Sequence, residues 1–171
     1  MPIIRLTLFP LLIVDSLAWA CVHLGISWGI RQIPLAFFDQ HAAWFRSFSF
    51  EDDGKFWQKQ LRIARWKDRL PEGTQIDSSG FNKSRLQRKD HVYLHRFIVE
   101  TCRAELTHWL LLFSACVFFL WNPLWAAVLN IFYALLANLP FILIQRYNRP
   151  RLRRVYDSYQ RNKARPTTQS K

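Results

Sequence analysis

Apolar residues gather into three long runs in this chain, Leu6 to Ile30, Leu106 to Trp121 and Leu124 to Ile144. At about 1.5 Å of rise per helical residue, the run 124–144 reaches the ~30 Å core of a bilayer and the run 106–121 comes close. The helix-breaking pair Asn122-Pro123 joins these two, and so short a turn forces them antiparallel. The pattern predicts an all-α membrane protein with three transmembrane helices, at about 6–30, 106–121 and 124–144. The charged flanks of the hairpin, Arg103 to Trp109 and Gln145 to Pro150, then surface at one membrane face, where chemistry is expected.

The first run admits two readings. Arg5, the apolar stretch and Ala18-Trp19-Ala20 fit a signal peptide, whereas hydrophobicity continuing to Ile30 with Asp15 inside it fits an uncleaved span, which we favour. Bulky Trp19 beside the cleavage position argues against lipidation at Cys21. Basic residues orient the spans. From Arg31 to Arg103 there are 14 Lys and Arg against 9 Asp and Glu, and from Gln145 to Lys171 there are 9 against 1, while only Arg5 precedes the first span. The positive-inside tendency puts the middle segment and the C-terminus in the cytoplasm and the N-terminus outside.

Between the spans, Phe45 to Phe50 alternates as a strand or extended surface piece does. Asp52 and Asp53 are plausible caps for an interfacial amphipathic helix at about 53–70, with Gln58, Arg62, Arg65 and Arg69 on a basic stripe and Trp57 and Trp66 among the apolar positions. Pro71-Glu72-Gly73 ends it, a polar linker follows to about Lys89, and a helical pattern from Asp90 runs unbroken into the second span. Arg149-Pro150 stops the third span. The chain thus reads as one integral membrane domain, 1–171: an N-terminal span or signal-like segment 6–30, a cytoplasmic interfacial segment 31–103, a transmembrane hairpin 104–150 and a basic tail 151–171.

Composition narrows the function. With 171 residues, 50% apolar and 16% aromatic, the chain makes one compact unit. A formal charge of +12 and a pI near 10.3 would suggest nucleic acid in a soluble protein, but beside membrane spans they point to anionic lipid headgroups as the partner. Cys21, Cys102 and Cys116 lack CxxC or Cys/His spacing and read as buried thiols, so neither a disulfide framework nor a zinc site is indicated.

Candidate chemistry lies at the hairpin. Glu105 and His108 stand three apart and share a helical face, continued by Leu112, Ala115 and Cys116. On the third span Asn130, Tyr133, Ala134, Ala137, Asn138 and Gln145 form a small, polar stripe, and because unpaired intramembrane polar groups are costly the two stripes are expected to face each other. A lone E-x-x-H pair lacks the second copy that a di-iron bundle needs. His91 and His95, four apart, lack an acidic third ligand of suitable spacing, so no metal or other cofactor is implied. There is no G-x-S-x-G elbow, P-loop or dinucleotide fingerprint.

Phe48-Ser49-Phe50-Glu51 with Gly54-Lys55-Phe56-Trp57, Arg65-Trp66-Lys67, Arg103-Ala104-Glu105-Leu106 with His108-Trp109, and Asn130 to Ala134 through Ala137-Asn138, Pro140 and Gln145 to Leu152 resemble the glycosyl-4,4'-diaponeurosporenoate acyltransferase family. The resemblance covers roughly 28–73 and 99–152. It implies a membrane enzyme of carotenoid biosynthesis that esterifies the sugar 6-hydroxyl of a glycosylated carotenoid acid with a fatty acyl group, giving staphyloxanthin-like pigments. The expected partners are that acceptor and a donor, acyl-CoA or acyl carrier protein. On this reading His108 is a general base oriented by Glu105, while Arg103, Asn138, Arg146, Tyr147, Asn148 and Arg149 bind substrate; Cys102 as an acyl carrier is a variant. The expected location is the cell membrane, multi-pass, with a cytoplasmic active face. The competing class is a non-enzymatic basic membrane protein that binds anionic lipid or scaffolds a partner.

Overall fold

The computed structural model of the chain describes residues 6–70 and 91–164. Helix α1 spans Leu8–Gln32, α2 Leu35–Gln40, α3 Lys55–Leu61, α4 His91–Ser114 and α5 Leu124–Ala164. Short 3-10 turns at Ala42–Phe45, Ser49–Gly54, Ile63–Arg65 and Lys67–Arg69 fill the middle segment, and another, Ala115–Leu120, extends α4. Among the described residues there is no strand. Three helical stretches are long and apolar enough to cross a membrane: Leu8–Gln32, His91–Leu120 and Leu124–Lys163. The linker and the extreme tail expected from the sequence lie outside the described residues.

Two compact units divide the chain, Met1–Phe37 with Arg103–Leu143, and Phe38–Cys102 with Ile144–Lys171. The first holds the apolar helices. In α1, Pro10 falls in the first turn, where its missing N–H removes no helical bond. Ile33 ends the helix ahead of Pro34, and Arg103 Nη2 donates to the Ile33 carbonyl at 3.1 Å, a cation where the helix dipole favours one. Alanines at Ala115 and Ala134 allow close approach around Trp19 and Phe118, which stack at 4.5 Å between centroids. Large apolar side chains point outward, Leu136 78% and Phe9 75% exposed, as a lipid-facing surface requires.

In the second unit α5 runs through Pro150 to Ala164, so proline does not end the third helix as its position suggests. A proline inside a helix costs about 3 kcal/mol; burial of Leu152 against Leu94, Phe97 and Ile98, with Tyr93 and Tyr156 packed beside them, offsets it. The stretch 53–70 is helical in pieces and not one rod. Arg62 takes a left-handed φ of 50°, where Gln58 Oε1 accepts from the Ala64 amide at 3.0 Å and Trp66 Nε1 donates to the Leu61 carbonyl at 2.9 Å. Asp52 and Asp53 do not cap α3. Both have positive φ, and Gly54 at φ 82° stands at its N-cap. The Phe45 to Phe50 alternation likewise resolves into 3-10 turns with an extended link.

Candidate functional site

His108 sits on α4 within the first unit, half-buried, and its Nδ1 is 3.0 Å from Asn138 Oδ1 on α5. Asn138 is 1% exposed, and its Nδ2 donates to the Ala134 carbonyl at 3.0 Å, which turns Oδ1 toward the imidazole. An oxygen facing Nδ1 accepts from a protonated Nδ1, so in the neutral imidazole the lone pair is on Nε2. Phe141 stacks parallel to the ring, 4.7 Å between centroids and 6° between planes. The Asn138 contact and the Phe141 stack together fix the orientation of the imidazole, an arrangement suited to a general base.

Glu105 is 1% exposed, and one of its oxygens accepts from Trp109 Nε1 at 3.3 Å. The two stripes expected to face each other thus meet at His108 and Asn138, but Asn130 turns elsewhere, toward α1. Trp19 Nε1 donates to Asn130 Oδ1 at 2.7 Å, and Asn130 Nδ2 donates to Asp15 Oδ2 at 2.8 Å. Trp121 Nε1 and Asn122 Nδ2 each reach Asp15 Oδ1 at 2.8 Å. This ring closes the N-terminal helix onto the hairpin turn. It was signalled only by an acidic residue inside an apolar run, which needs donors wherever it lands.

Of the other expected substrate residues, Arg103 lies in the first unit, bonded to the end of α1, and Arg146, Tyr147, Asn148 and Arg149 fall in the second. Arg146, 7% exposed, reaches Glu51 with Nε at 2.6 Å and Nη2 at 2.8 Å, and lies over the Phe48 ring at 4.5 Å. Glu51 also accepts from the Phe48 amide at 2.7 Å and from Trp57 Nε1 at 2.9 Å. Burial alone would raise the Glu51 carboxyl, but the Arg146 hydrogen bonds and charge, with those two further donors, outweigh it and hold it below its ordinary value. Arg149, 3% exposed, donates to Thr101 Oγ1 at 2.9 Å, the Thr101 carbonyl at 3.0 Å and the Phe45 carbonyl at 2.6 Å. Tyr147 is buried under Arg151, whose guanidinium lies 3.5 Å from the ring centroid, and Asn148 is half-buried. A Cβ on Gly54 would meet the Tyr147 carbonyl at 3.1 Å, so glycine lets the 49–54 turn sit against the α5 backbone.

The remaining candidates have other surroundings. His95 Nε2 pairs with Asp39 at 3.0 Å, and His91 stacks with Tyr159. Among the described residues no group of three or more His, Cys, Asp or Glu is placed to hold a metal ion. Only Cys102 is a buried thiol; Cys21 and Cys116 lie exposed on apolar helices, contrary to expectation, because burial there depends on which neighbour each helix face meets. Full burial keeps Cys102 from an acyl donor in this structure.

Residues 41–158 match the family model described as glycosyl-4,4'-diaponeurosporenoate acyltransferase. Proteins of that name from Staphylococcus aureus strains USA300 and N315 are each 38% identical over 137 residues, covering 80% of this chain and 82% of theirs. The chain belongs to this acyltransferase family. The match spans both units, from the Glu51 turn to α5. No solved structure matches.

Proposed function

We propose that this chain is a membrane-embedded enzyme that transfers a fatty acyl group to the sugar 6-hydroxyl of a glycosyl-4,4'-diaponeurosporenoate-like acceptor. The observation that carries the reading is the match to acyltransferases of that name over 80% of the chain. Three apolar helices suit an acceptor that partitions into lipid, and the basic segments beside them suit a cell-membrane protein with its active face in the cytoplasm. An acyl thioester, on coenzyme A or an acyl carrier protein, is the donor that such a face would meet.

His108 Nε2 takes the proton from the acceptor hydroxyl as its oxygen attacks the thioester carbonyl carbon. The carbon–sulfur bond then breaks, and the departing thiolate receives that proton, so ester and free thiol are the products. Asn138 positions the ring from Nδ1. Glu105 stands one helical turn before His108 on α4 and holds Trp109. Arg103 secures the end of α1 close in sequence to this pair. Arg146 and Arg149 act by holding the fold, not by holding donor phosphates, since their guanidinium groups are committed to Glu51, Thr101 and Phe45.

The test is to express the chain in cells that make a glycosyl carotenoid acid and look for its fatty acyl ester by mass spectrometry. An ester that appears with the wild-type chain and not with His108→Gln at equal membrane level supports the reading. Absence of ester with a well-inserted wild-type chain returns the protein to the class of non-enzymatic lipid-binding membrane proteins.

A further inference from the structure

Four rings of the second unit meet on its surface. Phe50 is the hub: it stacks on Phe48 at 5.7 Å between centroids and meets Phe56 at 5.6 Å and Trp57 at 6.1 Å, while Phe56 and Trp57 meet edge-on at 5.0 Å. Phe48 and Phe50 remain 60% and 58% exposed, and Leu61, which shares a face of α3 with Trp57, is 42% exposed. Single exposed apolar residues are ordinary, but a contiguous patch of them marks a surface that something covers.

The patch is held outward by buried bonds. The Glu51 carboxylate accepts from the Phe48 amide and from Trp57 Nε1, and Arg146, bonded to that carboxylate, lies 4.5 Å from the Phe48 ring centroid. The rings are thus fixed before anything covers them and lose little freedom when covered. Charge lies at one edge. Lys55 and Lys59 are exposed and stand within about 100° of Phe56 around α3. Past Leu61 the helix ends at Arg62, φ 50°, so the more distant cations Arg65 and Arg69 do not continue this face.

Arg146 identifies the covering. It stands on α5 two positions past Ile144, where the apolar run ends, which is about 3 Å along the helix axis. That helix is long and apolar enough to cross a membrane, and hydrocarbon gives way to headgroups where its apolar run stops. A ring cluster bonded to Arg146 therefore sits at the depth where aromatic side chains enter the boundary and lysines meet phosphates.

We propose that Phe48, Phe50, Phe56 and Trp57 form a rigid wedge that inserts into the headgroup–acyl boundary of an anionic bilayer, with Lys55 and Lys59 on lipid phosphates. The wedge rests on the membrane location proposed above and not on acyl transfer.

The test reads depth in the full chain, with Cys21, Cys102 and Cys116 changed to Ala, in nanodiscs of phosphatidylcholine with or without phosphatidylglycerol. One nitroxide at a time is attached at Phe48→Cys, Phe50→Cys, Leu136→Cys or Asp157→Cys, and its relaxation by oxygen, which concentrates in hydrocarbon, is compared with that by a water-soluble nickel chelate. Leu136, 78% exposed on the apolar run, is the hydrocarbon reference, and exposed Asp157, about 20 Å beyond Ile144 along α5, is the aqueous one. The labels at Phe48 and Phe50 should be reached more by oxygen than by nickel, as at Leu136 and opposite to Asp157. Lys55→Gln with Lys59→Gln should move the Phe50 label toward water in discs that contain phosphatidylglycerol and not in those that lack it. Nickel access at both phenylalanine positions, with Leu136 in hydrocarbon, would overturn the wedge, and spin–spin broadening at those positions would assign the patch to a second copy of the chain instead. Unchanged depth in the lysine variant would overturn the phosphate contacts. A Leu136 label in water would remove the membrane location and the wedge with it, whereas absence of ester in cells would leave an inserted wedge standing.

Discussion

Two acidic side chains anchor the two units, and they are held in opposite ways. Asp15 lies in a helix apolar enough to cross a membrane and is met by three neutral donors, one indole and two carboxamides, each at 2.8 Å. Glu51 is 0% exposed and is met by a guanidinium through two bonds as well as by an indole and an amide. Neutral donors satisfy an acceptor without neutralising it, so the Asp15 ring fixes which helix faces meet. The Glu51 ring also cancels a buried charge, and either partner left alone would be an uncompensated ion. The comparison predicts a division of labour: chemistry in the first unit tolerates substitution structurally, whereas the second unit depends on its pair for existence.

The sharpest break of that division is His108→Gln. A general base contributes about 10²- to 10⁴-fold, and the glutamine keeps a hydrogen-bonding group beside Asn138. Ester formed per unit of membrane-embedded enzyme should fall by that range, with the unfolding midpoint unchanged, and Glu105→Gln should lose less. Turnover within a few fold of wild type would remove His108 from the chemistry.

The reciprocal break is Arg146→Met, which strands the Glu51 carboxylate. Loss of one member of a buried pair costs about 3–5 kcal/mol, so folded protein should fall sharply in detergent melts and in membranes. Glu51→Leu combined with Arg146→Met should recover much of the loss, since two apolar groups leave no charge behind. The same pair sets an acid limit. With its folded pKa below the unfolded one, Glu51 binds fewer protons folded than unfolded. Its contribution is therefore complete above the ordinary carboxylate range and disappears as pH falls through the depressed value. The Glu51→Leu, Arg146→Met double variant should lose less stability than wild type over that acid interval.

How much of this was legible beforehand follows from how local each signal is. Span length and hydropathy are properties of contiguous residues, so all three long helices were readable, as was the shared face of Glu105 and His108. The partner of His108 was not, because Asn138 lies 30 positions away and its approach depends on the register of two helices. Arg146 and Arg149 resemble phosphate ligands by residue type and by their place beside an apolar run. Their actual partners, Glu51 and Thr101, lie 95 and 48 positions away, and nothing in the local pattern marks them. The same holds for Pro150, whose local message to stop is overridden by packing around Leu152.

A smaller effect is expected from Asp15→Asn. Hydrogen bonds between membrane-spanning helices average about 0.6 kcal/mol and reach about 1.7, because the unfolded helices find other partners in the bilayer. The variant should remain folded and inserted, with its unfolding shifted by no more than that range. A loss matching that of Arg146→Met would mean that the two rings are equivalent and that neutral donors bear as much load as a guanidinium.

The smallest effect belongs to an ion pair of the second unit that differs from Glu51–Arg146 mainly in exposure. Lys55 Nζ lies 3.2 Å from Asp52 Oδ1, with the two side chains 64% and 66% exposed. Both charges keep their water when the contact is lost, so neither becomes an uncompensated buried ion, and exposed pairs are worth about 0.2–1 kcal/mol. Lys55→Gln should therefore move the unfolding midpoint by less than any of the changes above, and raising the salt concentration should erase what shift there is. If Lys55→Gln instead destabilises on the scale of Arg146→Met, then charge pairing in itself, and not its burial, holds the Glu51 turn against α5, and the contrast between the two acidic centres loses its physical basis.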